Sequence, residues 1–361
     1  MEKKNKKIVV GLSGGIDSAV ALLLLKKQGW QPVGISLKLP VWENKSNPFR
    51  ENTASLKKSL AAAKKVCEKL NIPYHLVNAQ KEFRKEVIGY FLKELKKDRT
   101  PNPCMICNPH LKFFQLFAWA KKHKIDYVAT GHYARIRQNS KTGKYQLLRA
   151  KDKQQDQSYY LALLPEKWLK NIVFPLGNYS KQEIYSLARK EGLKFLSKEK
   201  PSQDFCFLAG KSFNSFLTQE IGQKPGLIKD EKGKVLGKHK GLHFYTIGQR
   251  KGINLSGGPY FVKDFDIKNN ILVVTKDKKD LLKKTVLLSS VHLISDIPLR
   301  KPIEVKAKIR YRQPLAKATF RLLSRNKAKL VFDKPQRAVT PGQFAVIYQG
   351  DICLGGGKIE E

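Results

Sequence analysis

The stretch Gly11-Leu12-Ser13-Gly14-Gly15-Ile16-Asp17-Ser18 decides how this sequence is read. It follows the β-branched run Ile8-Val9-Val10 and opens into Ala19-Val20-Ala21-Leu22-Leu23-Leu24-Leu25. That order predicts a strand, a glycine turn and a helix. Glycine lets the backbone approach a ligand closely and adopt conformations closed to other residues. The start of the helix that follows offers unpaired N–H groups and a partial positive charge, which together suit phosphate. The stretch therefore reads as a nucleotide site, weighed against an ordinary strand-to-helix turn built from small residues. Two common nucleotide loops do not fit. A Walker A loop needs a Lys where Ile16 follows Gly15, and this loop lacks the Gly-x-Gly-x-x-Gly spacing of dinucleotide sites.

Ser13-Gly14-Gly15-Ile16-Asp17-Ser18 instead resembles the SGGxDS loop of the N-type ATP pyrophosphatases, the PP-loop family. Those enzymes cleave ATP to AMP and pyrophosphate while adenylating a carbonyl-type oxygen. The resemblance implies that residues from Gly11 and Leu12 through Ile16 line the ATP site. Within it, Ser13, Gly14, Gly15 and Ser18 would hold pyrophosphate, and Asp17 would help place Mg²⁺.

The composition is that of a globular chain long enough for two or three domains: 361 residues, 41% of them hydrophobic. Charge is the outlier. Seventy Lys and Arg stand against 30 Asp and Glu, a formal net charge of +40. Such an excess suits a polyanionic partner. A lysine-rich background spread over solvated faces explains part of it, since lysines occur all along the chain. The basic start, Lys3-Lys4-Asn5-Lys6-Lys7, is not followed by the continuous apolar core of a signal peptide. No run reaches membrane-spanning length, and five cysteines do not make a disulfide framework. A cytoplasmic protein with no membrane partner is expected.

Further along, Gln31–Leu37, Tyr74–Val77 and Asp126–Thr130 read as strands. Between them, Thr53–Leu70, Glu82–Lys97 and His110–Lys122 read as helices, the first with Leu56, Leu60, Ala63, Val66 and Leu70 at helical spacing. Alternation of this kind predicts an α/β domain, a parallel sheet with helices on both faces. Thr100-Pro101-Asn102-Pro103-Cys104-Met105-Ile106-Cys107-Asn108 reads as a proline-rich turn, a hairpin is expected around Lys141-Thr142-Gly143, and Ser180-Lys181-Gln182-Glu183 as a capping box. After a helix at Phe213–Ile221, glycine-punctuated strands follow, among them Gly226-Leu227-Ile228 and His243–Gly248. Glu304–Arg312 alternates apolar and charged residues, as a half-buried strand does. The division expected is a catalytic domain over 1–208, a small mixed domain over 209–280 and a C-terminal β-barrel over 281–361.

Cys104 and Cys107 form a Cys-x-x-Cys, with Cys206 far along the chain. Three readings compete: zinc with His110 and Cys206 as further ligands, a redox pair, and sulfur chemistry joining Cys107 to Cys206. Spacing alone does not choose among them.

The chain as a whole resembles the tRNA-specific 2-thiouridylases, PP-loop enzymes that thiolate the wobble uridine of certain tRNAs. Matching blocks run nearly end to end: Gly11–Ser18, Thr100–Pro103 with Cys107-Asn108 and Lys112-Phe113, Ala129–Arg135, Asp156–Tyr159, Ser202–Phe207, Tyr245–Gly252, Ala338–Gln343 and Cys353–Gly357. The resemblance implies an adenine nucleotide alpha hydrolase-like fold and a barrel that touches tRNA. It implies that ATP adenylates the uracil 2-oxygen, a poor leaving group, so that AMP leaves in its place. Cys206 would carry sulfur as a persulfide received from an upstream donor protein, with Cys107 as the second catalytic cysteine. Either Cys107 attacks the persulfide and releases sulfide, leaving a Cys107–Cys206 disulfide, or the persulfide attacks carbon 2 directly.

By the same resemblance, Leu37 and Gly131 contact the nucleotide, and Asn102-Pro103-Cys104 meets the target base. His132, Gln155, Asp156, Gln157, Arg310, Tyr311 and Gln343 fall on positions associated with tRNA, whose anticodon loop presents the base unpaired. For each of these the plain alternative is a surface polar residue. Two departures stand out: Cys104 where many relatives have Asp, and Gln155 where relatives commonly have Lys. Rival readings are another PP-loop adenylating enzyme acting on tRNA, which would not need the two cysteines, and a non-catalytic zinc-containing RNA-binding protein.

Overall fold

A computed structural model of the chain describes residues 6–40, 51–193, 196, 207, 213–294 and 301–360. Two compact units are present. The first comprises Met1–Val87, Cys104–Phe213 and Asp351–Cys353; the second comprises Ile88–Pro103, Asn214–Gly350 and Leu354–Glu361.

The first unit begins with β1 (Lys7–Gly11), α1 (Ile16–Lys27), β2 (Gln31–Lys38), α2 (Glu51–Lys69) and β3 (Tyr74–Asn78). α3 (Gln80–Phe83) runs into a π-helical stretch at Arg84–Ile88, after which α4 (Gly89–Leu95) belongs to the second unit. The chain returns with α5 (Pro103–Cys107), a π-helical Asn108–Phe113, and α6 (Phe114–Lys122). β4 (Tyr127–Thr130), the hairpin β5 (Ala134–Gln138) and β6 (Tyr145–Arg149), α7 (Ser158–Leu161), α8 (Glu166–Leu169), β7 (Ile172–Val173) and α9 (Lys181–Lys190) complete it.

The five-stranded sheet has the order β3-β2-β1-β4-β7 and is parallel throughout, as the alternation of elements predicts. Central β1 is covered on both faces, so Ile8, Val9 and Val10 are all fully buried. α1 is apolar nearly all round because it is a core helix, with every residue from Ser18 to Leu25 buried. Ala63, Val66 and Cys67 from α2 and Ile184 and Ala188 from α9 pack into the same core. Strand order changes direction between β1 and β4, where ligands bind in open α/β sheets. There Gly11 is the register partner of Thr130.

The second unit carries α10 (Phe213–Glu220), whose first residue belongs to the first unit, and a four-stranded sheet. Its strands are β8 (Gly226–Asp230), β9 (Val235–His239), β10 (Phe261–Asp266) and β11 (Ile271–Thr275), in the order β10-β11-β8-β9. The barrel follows: β12 (Leu282–Leu293), β13 (Ile303–Lys308), β14 (Ala316–Ser324), β15 (Lys327–Arg337), β16 (Phe344–Gln349) and β17 (Ile352–Ile359). It closes because β12 pairs with both β15 and β17. No helix among the described residues is long and apolar enough to cross a membrane.

Three local expectations are corrected. His243–Gly248 forms no strand: Leu242–Phe244 is a 3-10 turn, and the glycines at its ends, Gly241 and Gly248, have φ of 149° and 82°. Cys104 and Cys107 lie on a short helix, since Pro103 can open a helix without a missing N–H being felt. The alternation over 304–312 outlasts its strand, which ends at Lys308 and leaves Arg310 and Tyr311 in a turn.

The strand register around the glycine loop leaves no spare volume. A Cβ on Gly34 would lie 2.6 Å from Cys67 Sγ and 2.8 Å from Leu12 Cδ1. Gly34→Ala is expected to destabilise the first unit by about 1–3 kcal/mol, as overpacked cores do. Urea unfolding followed by Trp fluorescence measures this, and an unchanged midpoint would contradict it.

Candidate active site

The loop after β1 is pressed onto its neighbours. Gly14 has a φ of 82°, and a Cβ there would lie 2.2 Å from the Ser59 carbonyl oxygen on α2. Only glycine satisfies both conditions. Within the loop, Ser13 N–H donates to Ser18 Oγ at 3.2 Å, and Ser18 Oγ donates to the Gly15 carbonyl at 3.0 Å. Gly15 caps α1 with extended backbone and no side-chain hydrogen bond. The first-turn N–H groups have no partners inside the helix, and a helix start left without a side-chain cap fits a phosphate chain.

Gly131 follows β4, and a Cβ on it would come within 2.7 Å of Ser18 N and 2.8 Å of Asp17 C. Its missing side chain lets the β4 exit lie against the first turn of α1. Tyr133, two residues on, donates its hydroxyl to Asp17 Oδ1 at 2.8 Å. Lys181, at the start of α9, places Nζ 2.6 and 2.7 Å from the two Asp17 oxygens. Its own turn is set by the expected capping box, with Ser180 and Glu183 exchanging both hydrogen bonds. Asp17 is the loop's carboxylate. A single carboxylate beside phosphates suits Mg²⁺, which is commonly held by one or two carboxylates and substrate oxygens. Leu37 lies half-buried near the end of β2, opposite Val77 of β3.

His132 lies within hydrogen-bond distance of Thr130, Nδ1 to Oγ1 at 2.7 Å, and stacks on Phe113. Burial, reinforced by the Lys112 ammonium, pulls its pKa down to about 3. It is a neutral imidazole at physiological pH. Gln157 grips the adjacent backbone twice, accepting from Tyr133 N–H through Oε1 and donating its own N–H to the Tyr133 carbonyl. Asp156 is buried, and its carboxylate accepts from Arg149 Nε, Ala150 N–H and Ser158 N–H. Gln155 is half-buried, with its N–H directed to Asp152 Oδ1.

On α5, Cys104 is exposed and Cys107 is 5% exposed. Burial pushes the Cys107 thiol up to about 11, with Lys112 opposing the rise and Cys104 adding to it. Asn108, the next residue, is anchored by donating Nδ2 to the Cys104 and Tyr160 carbonyls. Cys206 lies outside the described residues; the residue that follows it, Phe207, is buried against Phe83 at 5.7 Å. Among the described residues no group of three or more His, Cys, Asp or Glu side chains is arranged to hold a metal ion.

In the second unit, Asn102 and Pro103 end the segment that follows α4. Arg310 Nη2 donates to the carbonyls of Ile247 and Ala338 and to Thr340 Oγ1. The Tyr311 carbonyl accepts from Lys308 Nζ at 3.4 Å. Gln343 Nε2 donates to the Thr100 carbonyl at 2.9 Å and to that of Pro101 at 3.4 Å.

Residues 6–210 match a family described as the tRNA methyl transferase HUP domain, 214–276 its PRC-barrel domain, and 283–359 an aminomethyltransferase beta-barrel domain. The chain is 39% identical over 360 residues to the tRNA-specific 2-thiouridylase MnmA of Clostridioides difficile (strain 630), covering 99% of each. It is 41% identical over 367 residues to that of Clostridium botulinum (strain Alaska E43 / Type E3), covering 100% of this chain and 99% of the relative. The chain belongs to the tRNA-specific 2-thiouridylase family. Among solved structures, the U34-tRNA thiolase NcsA from Methanococcus maripaludis aligns with 60% of this chain and 65% of its own, at 22% identity and a TM-score of 0.34.

Lys181 is the residue of this 2-thiouridylase-family chain that motif reading passed over. A signal for it exists in the sequence. A lysine in the first turn of a helix sits against the positive end of the helix dipole, and such a placement calls for an anionic partner. Asp17 is that partner here, and an anionic ligand at the loop would be another.

The Cys107 thiol stays protonated at neutral pH, because its pKa is raised. In a Cys104→Ser background, alkylation of Cys107 by iodoacetamide is expected to rise about tenfold per pH unit from pH 7 to 9. Peptide mass spectrometry measures the rate, and a plateau below pH 9 would contradict the assignment.

Proposed function

We propose that this chain thiolates carbon 2 of the wobble uridine of tRNA, using ATP to activate the oxygen it replaces. The observation that carries the reading is full-length membership of the 2-thiouridylase family together with a loop whose open helix start fits a phosphate chain. The formal charge of +40 suits a tRNA substrate.

In this reading Gly11–Ser18, Leu37 and Gly131 form the ATP site. The N–H groups at the start of α1 and the Lys181 ammonium receive the phosphate charge, and Lys181 is shared between Asp17 and the nucleotide. Asp17 together with substrate phosphates would hold Mg²⁺, which would supply charge neutralisation. The uracil 2-oxygen attacks the α-phosphorus and pyrophosphate leaves. Carbon 2 then carries AMP as its leaving group.

Sulfur comes from Cys206 as a persulfide supplied by a donor protein. The C2–S bond forms as the C2–O bond to AMP breaks, and the persulfide S–S bond breaks as Cys107 Sγ bonds to Cys206 Sγ. The resulting disulfide is reduced by an external thiol before the next turnover. Cys107 begins as a thiol, so its proton has to leave when the substrate is in place. Asn102, Pro103 and Cys104 meet the target base. His132 contributes as a neutral group, Gln155, Gln157 and the barrel's Arg310 and Tyr311 belong to the surfaces that meet the anticodon arm, and the buried Asp156 supports its surface from beneath by holding the Ala150 and Ser158 backbone.

Purified protein incubated with ATP, Mg²⁺, a persulfide donor and unmodified tRNA is expected to yield 2-thiouridine, AMP and pyrophosphate, read by nucleoside mass spectrometry. Absence of 2-thiouridine with a competent donor would refute the reading. Cys107→Ser and Cys206→Ser should each lower the rate about a thousandfold or more while ATP affinity holds. Lys181→Met should weaken ATP about tenfold or more, measured by calorimetry.

A further inference from the structure

Within the second unit, the segment leading to Asn102 is gripped by parts of the chain far away in sequence. Thr100 N–H donates to the Pro341 carbonyl at 2.9 Å, and Thr100 Oγ1 donates to Thr246 Oγ1 at 3.3 Å. The Thr100 and Pro101 carbonyls are both taken by Gln343 Nε2. Pro101 and Pro103 have no N–H, so carbonyls and the Thr100 and Asn102 amides are all the backbone offers here.

The gripping turn is itself rigid. Gly342 has a φ of 89°, and a Cβ on it would lie 3.0 Å from each of Arg99 Cβ, Thr100 N and Thr100 O. Gly342 N–H donates to the Ile359 carbonyl, and Ile359 N–H donates to the Gln343 carbonyl. Arg310 fastens the same turn through Ala338 and Thr340. Behind it, the buried Glu94 carboxylate faces Lys358 at 3.4 Å and Arg99 at 3.8 Å, and Arg99 also binds Glu360 at 2.7 Å. Gln343 is the member of this set whose amide reaches the backbone one residue before Asn102.

We propose that Gln343 is a positioning residue: with the turn 340–343 it fixes the Thr100-Pro101-Asn102 backbone so that Asn102 meets the target base in one geometry. The placement of the base rests on the function proposed above; the grip on the backbone does not. A group whose side chain is committed to loop carbonyls acts on the chemistry through the loop. Its loss therefore lowers the rate of the bound complex more than it lowers affinity.

Hydrogen exchange on the free protein, without tRNA or ATP, tests the grip alone. In Gln343→Ala and in Gln343→Glu, which sets a carboxylate against the two carbonyls, the Thr100 amide is expected to exchange at least about tenfold faster. Gly342→Ala should do the same without altering any side chain able to reach RNA, and thermal melting checks that each variant stays folded. In single-turnover thiolation with saturating tRNA and ATP, each variant should slow about tenfold to a hundredfold. The tRNA Kd should stay within about threefold and its salt dependence should be unchanged. Unchanged exchange in all three variants overturns the grip. Faster exchange with an unchanged single-turnover rate, or with a loss confined to tRNA affinity, overturns the positioning role. A failure of wild-type protein to thiolate tRNA counts against the proposed function and leaves the exchange result to stand by itself.

Discussion

Both oxygens of Asp17 are held by the Lys181 ammonium, and Tyr133 adds its hydroxyl to one of them. Three stretches of chain, the start of α1, the exit of β4 and the start of α9, converge on this one carboxylate. With the two side chains 32% and 23% exposed, solvent limits what the pair adds to stability to about 1 kcal/mol or less. Its importance lies in charge placement. A lysine at a helix start is opposed by the dipole of its own helix, and the α1 start a few ångströms away is positive as well. Asp17 makes that accumulation of positive charge tolerable without phosphate, and phosphate would make it favourable. Gly131 allows the arrangement, because any side chain there would collide with the first turn of α1.

The second unit follows the same logic with different chemistry. Its 100–103 segment, rich in proline, cannot form a regular hydrogen-bond ladder with its own neighbours. The barrel supplies the missing partners through the Pro341 carbonyl and the Gln343 amide, on a turn that Gly342 alone can make. The buried Glu94 would be costly without Lys358 and Arg99, and the three together pin the segment after α4 to the last strand of the barrel. Burial sets the chemistry on α5 too. Cys107 is kept a thiol by its apolar surroundings, while Cys104, a turn away, faces solvent.

What was legible in the sequence was whatever neighbours in the chain decide. The β-branched run before Gly11, the apolar helix after Ser18 and the capping box at Ser180 are encoded within a few residues, and all three form as read. The parallel sheet follows from the alternation of such elements. Local reading misled where it had to be overruled by glycine geometry, as at His243–Gly248, or where alternation outlasted its strand, as past Lys308.

Partnerships across the fold were not legible. Lys181 finds Asp17 across 164 positions, and Gln343 finds Thr100 across 243. Arg310, Asp156 and Gln157 fall by resemblance on tRNA-associated positions, and the structure commits each of them to backbone or buried partners. By itself the sequence determined the loop, the elements on either side of it, and the family. Only the tertiary structure decided which side chains are spent holding the site together. The reason is physical: helix, turn and strand preferences act between residues a few positions apart, whereas a side chain's partner is fixed by strand order and barrel closure.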